Sequence, residues 1–206
     1  MGGLACAARL RVRGHDVTVL SRASVLGGKL ATYRRDGFVF DTGPSLLTLP
    51  AVYRDLFLKT GAPLEEAVGS EPLEPAFSYR FADGARVVMP GVDPGRCARA
   101  LAEGLGGNAF EEWRAFMARA GDIWRITRRP FLESPLTGVR DIVSLARDPR
   151  EIRSVAPFTS LRRLGRSYFT DPRLVTLLDR YATYTGSDPR RAPAATTPDR
   201  ILPGRP

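Results

Sequence analysis

The sequence has few of the residues that build metal sites and nucleophilic sites. Only two cysteines occur, Cys6 and Cys97, and their separation fits neither a disulfide framework nor a zinc motif. The single histidine, His15, follows Gly14 at a predicted turn and has no second ligand or base nearby in the sequence. We therefore expect no metal site and no Ser-His-Asp triad in this chain.

Long apolar runs are also missing. No stretch approaches the roughly 18 uninterrupted apolar residues that a membrane-spanning helix needs. The start of the chain has no charged segment followed by an apolar one, which is the pattern of a signal peptide. Together with the scarcity of cysteine, this predicts a protein of the reducing cytoplasm.

Lysine is scarce, although the chain is basic. Lys29 and Lys59 are the only lysines among 31 basic residues, and the net charge is +9. Such a charge attracts anions in general, including phosphates, acidic lipid headgroups and nucleic acid. The arginines are scattered along the whole chain beside many Ala, Gly and Pro residues. This scatter argues against a dedicated nucleic-acid surface, and we expect no nucleic-acid partner.

The first residues have the pattern of half a βαβ unit. Apolar residues at helical spacing predict a helix over 2–13, and Gly14 supplies its stop. A short β-rich run at 16–20 follows. Helix, glycine turn and buried strand are typical of an α/β fold with a parallel sheet. We therefore predict an incomplete Rossmann-like domain, whose first strand would precede Met1.

Two β-hairpins, helices and a proline-rich end are predicted further along. Asp-Gly pairs favour tight hairpin turns, and each pair here is flanked by β-rich runs. The predicted strands are 31–35 with 38–41, and 77–81 with 86–89. A helix that ends at Gly61 is predicted between the two hairpins. After about residue 94 we expect helices, and over 189–206 the prolines and the lack of apolar periodicity predict a disordered tail.

Two helical stripes carry most of the large apolar side chains of the second half. The first consists of Phe110, Trp113, Met117, Ala120 and Trp124, and the second of Leu174, Leu177, Leu178 and Tyr181. Their spacing of three or four residues puts each stripe on one helical face. The first stripe has two interpretations: it packs in a protein core, or it lies against a membrane surface.

Glycine pairs are the strongest chemical signal. Gly2 and Gly3 open the first helix and match the end of a GxGxxG dinucleotide motif, although such a pair can also merely relieve crowding. After the 16–20 run a carboxylate that binds ribose is expected, but Ser21 stands there. A second glycine pair follows at 27–28.

The order of these segments resembles a known family. Leu20 to Arg22, then Gly27 to Lys29, then Asp41 to Ser45 resemble the extended FAD motif of the amine oxidase superfamily. Residues 27–50, GGKLATYRRDGFVFDTGPSLLTLP, look most like bacterial phytoene desaturases and related carotenoid desaturases. The resemblance runs from Gly2 to about Asp188.

This resemblance implies a FAD site built largely from backbone. The implied cofactor-binding residues are Gly2, Gly3, Ser21, Arg22, Gly27, Gly28, Lys29, Gly43, Pro44 and Ser45. The glycine pairs would approach the pyrophosphate, and the segment from Gly43 would run beside the flavin ring. Lys29 either adds charge near the phosphates or is simply solvated. Because Ser21 replaces the family's glutamate, we expect weak FAD retention, and no catalytic acid or base can be named.

The implied activity is FAD-dependent desaturation of a lipophilic polyene such as phytoene, in the cytoplasm or peripherally at the inner face of the membrane. The implied domains are a partial FAD/NAD(P)-binding domain over 1–70 and a partial, largely helical α+β substrate domain over 71–188. The family chain is more than twice as long, so we expect a fragment with no measurable desaturation. Three alternatives stay open: another superfamily oxidase such as a protoporphyrinogen or amine oxidase, an inactive remnant, or a basic protein that binds acidic partners without catalysis.

Overall fold

A computed structural model describes residues 1–44, 46–91, 93–132, 156, 158–184 and 186–194. The chain divides into two compact units, Met1–Glu71 and Pro72–Arg205, here called unit 1 and unit 2.

Unit 1 combines short helices with one hairpin. Its elements are α1 (Gly2–Val12), β1 (Thr32–Arg35), β2 (Phe38–Asp41), α2 (Pro50–Thr60) and α3 (Leu64–Ala67). The predicted first helix is confirmed, and Gly14 follows it with a φ of 87° in the left-handed region. The predicted helix before Gly61 is also confirmed; it begins at Pro50, whose missing N–H costs nothing at a helix start.

The predicted strand at 16–20 is wrong for this structure. These residues lie outside any helix or strand, and the side chain of Leu20 is 91% exposed. A strand needs a neighbour for its backbone hydrogen bonds, and the hairpin strands of unit 1 pair with each other instead. Within the described residues the sheets are two antiparallel hairpins, so the predicted parallel α/β sheet is not formed there.

The first hairpin has the predicted turn. Asp36 and Gly37 both have positive φ, 50° and 82°, as the two central residues of a type I′ turn require. The register pairs Thr32 with Asp41 and Tyr33 with Phe40. Since residues paired across strands share a face, one side of this hairpin carries Tyr33, Phe38 and Phe40. All three side chains are exposed.

Unit 2 contains the second predicted hairpin and the longer helices. Its elements are β3 (Phe77–Arg80), β4 (Arg86–Met89), α4 (Pro94–Leu105), α5 (Ala109–Leu132), α6 (Leu161–Tyr168) and α7 (Pro172–Thr183). Three of these helices begin with a side chain that accepts a hydrogen bond from the first turn. The caps are Asp93, Ser160 and Asp171, which receive the N–H groups of Arg96, Arg163 and Arg173.

Unit 2 has a continuous apolar core. Trp113 and Phe116 of α5 pack against the ring of Phe169, with ring centroids 5.9 and 5.1 Å away. The α7 stripe is confirmed as a core face, and the α5 stripe packs into the same core. Trp113 is only 2% exposed, so protein already covers the centre of the α5 stripe. The core interpretation of that stripe therefore holds at its centre, whereas Phe110, Met117 and Trp124 are only partly buried.

The prediction that residues 189–206 pack against nothing is wrong over 189–194. The carbonyl oxygen of Ala192 accepts the N–H of Leu161 at 2.9 Å, and the N–H of Ala194 donates to Thr159 at 2.9 Å. Ala192 and Ala194 are buried in the core. The reason is that proline removes a donor but leaves every carbonyl available, and alanine side chains fit a tight space. Residues 195–206 lie outside the described residues.

Candidate functional site

The first hairpin brings two of the predicted cofactor segments together. At its open end the N–H of Thr42 donates to the carbonyl oxygen of Ala31 at 2.9 Å, and the Thr42 hydroxyl donates to the same oxygen at 3.0 Å. These bonds continue the ladder one residue beyond the paired strands. The segment that precedes β1 and the segment that follows β2 therefore start side by side.

Gly43 packs directly on the backbone of the opposite segment. A Cβ atom built on Gly43 would overlap the carbonyl oxygen of Lys29 and would lie 3.3 Å from the Cα of Leu30. The overlap is with backbone, which cannot move aside as a side chain can. Among the described predicted site residues, Gly43 thus has the clearest steric need for glycine.

The loop at Gly27 and Gly28 is a tight turn. Gly27 has a φ of 116°, and a Cβ there would lie 2.7 Å from the carbonyl oxygen of Leu30. Gly28 has a φ of 63° with open space around its Cα, and Lys29 is exposed. Pro44 is exposed as well. Ser45, also predicted as a site residue, lies outside the described residues.

The glycines at the start of α1 face open space. No atom lies within 4 Å of a Cβ built on Gly2 or Gly3. Crowding within the described residues therefore does not explain this pair, which was one of its two interpretations. The helix is linked to α2 through Arg9, which donates to Asp55 at 3.1 Å. Hydrogen bonds from Lys59 and then from Arg9 lower the pKa of the Asp55 carboxyl group.

Ser21 is engaged in a local turn. Its hydroxyl oxygen accepts the N–H of Ala23 at 3.2 Å and donates to the carbonyl oxygen of Ala23 at 3.3 Å. Both Ser21 and Arg22 are exposed. The structure thus packs the 27–30 loop against Gly43, while the contacts of Ser21 remain within its own turn.

Sequence reasoning missed a cluster of aromatic rings around Arg180 in unit 2. The guanidinium lies 4.5 Å from the ring centroid of Phe77 and 5.4 Å from that of Tyr79. It donates to the hydroxyl groups of Tyr79 at 2.6 Å and Tyr184 at 2.8 Å. Burial raises the pKa of Tyr79 and of the neighbouring Tyr181. The alternating aromatic pattern of β3 was visible in the sequence, but nothing there indicated the residue on α7 that meets it.

Two further features are absent from the described residues. No group of three histidine, cysteine or carboxylate side chains among them could hold a metal ion. None of the described helices has the length and apolar character needed to cross a bilayer.

The comparisons with known proteins identify a matching domain and several relatives. Residues 1–58 match the family model of an NAD(P)-binding Rossmann-like domain. The chain is 29% identical to a 4,4'-diapolycopene oxygenase of Methylomonas sp over 94% of its own length and 39% of the relative's length. It is 30% identical to a hydroxyneurosporene desaturase of Rubrivivax gelatinosus, covering 94% of this chain and 37% of that one.

A third relative is a 4,4'-diapophytoene desaturase (4,4'-diaponeurosporene-forming) of Staphylococcus haemolyticus, at 28% identity over 93% of this chain. The chain is thus similar in sequence to carotenoid desaturases over most of its length. The resemblance found in the sequence is thereby confirmed, and the dinucleotide-binding character of the first residues is confirmed with it. The chain spans 37–39% of the length of these three relatives.

Proposed function

We propose that this chain forms part of a FAD-dependent oxidoreductase that desaturates a carotenoid precursor such as phytoene. The observation that carries the proposal is the contact of Gly43 with the Lys29 carbonyl. It supports a pair of closely packed glycine loops, and glycines allow backbone N–H groups to approach a dinucleotide pyrophosphate. The match of residues 1–58 to a Rossmann-like domain supports the same interpretation.

The residues present fit FAD at the loops and at the helix start. Gly2 and Gly3 leave open space at the N-terminus of α1, where N–H groups and the helix dipole favour a phosphate. Gly27, Gly28 and Lys29 would add backbone and one positive charge, and Gly43 with Pro44 would lie along the ring system. When bound, FAD supplies the acceptor of a hydride from a saturated C–C unit, which loses a proton as its double bond forms.

The contribution of this chain is binding and orientation. Ser21 would offer one hydroxyl to the ribose only by giving up its turn with Ala23. We assign the chemical step to the flavin and to the alignment of the polyene against it.

The polyene partner and the two domains are part of the same proposal. Unit 1 would correspond to the FAD-binding domain predicted over 1–70, and unit 2 to the substrate domain predicted over 71–188. The proposed substrate is a long hydrocarbon that partitions into membranes, so a peripheral position at the inner face of the membrane suits the reaction. With the α5 stripe in the core of unit 2, membrane contact would require other residues.

The test is a measurement of equilibrium FAD binding to the full chain, with flavin fluorescence as the signal. Gly3→Glu is the informative variant, because it faces open space and an acidic residue suits a helix start, so the fold should tolerate it. Its charge would repel the pyrophosphate and should weaken FAD binding at least tenfold. Gly69→Glu is the matched control, since it adds the same charge at an exposed glycine of unit 1 with open space. Equal FAD affinity in both variants would rule out a pyrophosphate at α1.

A further inference from the structure

One side of helix α6 in unit 2 carries arginines at helical spacing. Arg166 follows Arg162 by four residues and Arg163 by three, which places all three on one side of the helix. The buried side chains of α6 lie on the opposite side and face α7. A Cβ atom built on Gly165 would lie only 2.7 Å from a methyl carbon of Leu178. This close packing fixes α6 with its arginines turned away from the core.

A second pair of arginines lies beside the first turn of α6. The backbone N–H of Arg162 donates to the carbonyl oxygen of Pro189 at 3.0 Å, which sets the segment 188–191 against the helix. Arg190 and Arg191 are exposed in this segment. The positive charges of the helix and of the segment therefore share one region of unit 2. We call this region the basic face and define it by five residues, Arg162, Arg163, Arg166, Arg190 and Arg191.

The basic face keeps a net positive charge after its ion pairs are counted. Arg162 donates to Asp179 at 2.8 Å, and Arg190 donates to Asp188 at 3.0 Å. No carboxylate in the described part of the chain forms an ion pair with the other three members, Arg163, Arg166 and Arg191. Exposed guanidinium groups of this kind attract anions and bind phosphate oxygens through paired hydrogen bonds.

A large aromatic side chain is exposed beside the basic face. Phe158 is 97% exposed, more than any other large apolar side chain among the described residues. It precedes Ser160, the cap of α6, by two residues. The chain from Phe158 to Arg163 spans at most about 17 Å, so the ring and the arginines can reach one flat surface together. Arginines combined with an exposed aromatic residue are typical of protein surfaces that lie in a membrane interface.

We propose that the basic face, together with Phe158, is the surface through which this protein contacts the anionic phospholipids of a membrane. The unpaired arginines complement the charge of the headgroup phosphates. Phe158 favours a lipid surface over nucleic acid, because an exposed apolar ring gains nothing from a phosphate backbone in water. The inference rests on the proposed function, since a polyene that partitions into membranes has to be taken from a bilayer.

The two components of this surface have separate roles. Arg163, Arg166 and Arg191 lie at the level of the headgroup phosphates, and the ring of Phe158 enters the boundary between headgroups and acyl chains. A single weak signal gives only marginal and reversible attachment to a bilayer, so charge and apolar insertion have to act together. The charged component weakens as salt is added, whereas the apolar component does not.

The experiment measures co-sedimentation of the full chain with two kinds of vesicle, phosphatidylcholine alone and an equal mixture of phosphatidylcholine and phosphatidylglycerol. We expect binding to the mixed vesicles, little binding to phosphatidylcholine alone, and a loss of affinity as salt is raised. The double variant Arg163→Gln, Arg166→Gln should weaken binding roughly twentyfold, because each arginine near an anionic surface contributes about fivefold. The matched control is Arg13→Gln, Arg34→Gln, which removes the same charge from exposed positions of unit 1 and should bind like the parent chain.

The aromatic component has its own measurement. Phe158→Ser should weaken binding to the mixed vesicles severalfold, whereas Phe38→Ser, at an exposed position of unit 1, should not. In Phe158→Trp, the emission of the added indole should shift to shorter wavelength when mixed vesicles are present, after subtraction of the signal of the parent chain. An unchanged emission would show that this side chain does not enter the lipid.

Three results would overturn the proposal. The first is equal binding to both kinds of vesicle, or to neither, and the second is equal affinity of the two double variants. The third is binding to duplex DNA, but not to vesicles, that is lost in Arg163→Gln, Arg166→Gln, which would assign the basic face to nucleic acid. None of these measurements contains FAD. A chain that binds flavin without binding vesicles, or vesicles without flavin, would therefore separate this proposal from the proposed function.

Discussion

The phenol of Tyr79 accepts a hydrogen bond from Arg180 at 2.6 Å, which joins β3 to α7 across 101 positions of the chain. The same guanidinium lies over the rings of Phe77 and Tyr184. Its positive charge is thus held by aromatic faces and phenol oxygens. This contact fixes the second hairpin of unit 2 to its last helix.

Replacing Arg180 with methionine should therefore destabilise unit 2. Methionine keeps an unbranched apolar stem but loses the hydrogen bonds and the cation–π contacts. A double-mutant cycle with Tyr79→Phe should give a coupling free energy of about 1–2 kcal/mol, measured by urea unfolding. A coupling near zero would show that the bond contributes nothing beyond packing. Arg114→Met is the control, since its guanidinium lies over Phe110 but pairs with the exposed Glu111.

Alkaline pH should weaken unit 2 through Tyr181. Burial, followed by the effect of Tyr79, raises the pKa of Tyr181 above its ordinary value of 10.0. A phenol whose pKa is higher in the folded state stabilises the fold fully below the unfolded pKa and loses that contribution as pH rises through the folded pKa. The urea midpoint should begin to fall near about pH 10, the unfolded pKa of a tyrosine, and should continue to fall as the pH rises further. Tyr181→Phe should reduce this fall, whereas Tyr33→Phe at an exposed position of unit 1 should not.

Gly43→Ala should loosen the loop pair of the proposed cofactor site. The added Cβ would overlap the Lys29 carbonyl, and overpacking of this kind costs about 1–3 kcal/mol. We expect faster amide exchange at Thr42 and in β2, together with weaker FAD binding. Gly69→Ala has open space and should change neither. Unchanged exchange in Gly43→Ala would mean that the two loops do not pack as described.

Ser21→Glu should tighten FAD binding. A carboxylate offers two acceptor oxygens to the ribose hydroxyls, and hydrogen bonds to a charged group contribute about 1.5–3 kcal/mol. FAD titration followed by gel filtration and a visible spectrum measures the change. Ser78→Glu, at an exposed position of β3 in unit 2, controls for added charge. If Ser21→Glu leaves the dissociation constant unchanged, the ribose is held elsewhere.

The 189–194 segment should be required for the stability of unit 2. Ala194→Glu would place a charge at a position where the side chain is almost fully buried. Burial of an unpaired charge is among the most destabilising kinds of substitution. We expect a clear loss of thermal stability, of about 3 kcal/mol or more. Arg190→Ala, at an exposed position of the same segment, should have a small effect. Equal stability of the two variants would mean that the segment is not anchored in solution.

Local signals in the sequence were sufficient for the helices and the hairpins. Asp36 and Gly37 specify their own turn, and Gly14 ends its own helix, because each effect depends on the conformation of one or two residues. Whether residues 16–20 form a strand could not be predicted from local signals, because a β-strand forms only beside a second strand that shares its backbone hydrogen bonds. The packing of Ala194 also escaped prediction, because it depends on the distant Thr159.

The candidate site also has some features that local signals predicted and others that depend on distant residues. The glycine pairs and their order predicted which segments would hold the cofactor, and the comparisons confirmed the resemblance to carotenoid desaturases. The contact between Gly43 and Lys29 could not be predicted from either segment alone, because the register of the hairpin creates it. Arg180 gave no sequence signal, since its partners Phe77 and Tyr79 lie on a strand far away in the sequence.

Among the described residues of unit 1 a single hydrophobic side chain, that of Leu64, is buried, and this determines what heating the chain can reveal. The cooperative heat absorption of unfolding scales with the surface that becomes exposed, and the other buried hydrophobic side chains among the described residues lie in unit 2. A calorimetric scan will therefore record the unfolding of unit 2 and give almost no signal for the unfolding of unit 1. Damage to the proposed cofactor loops would leave such a thermogram unchanged, so a sample can look fully native by calorimetry while those loops are disrupted.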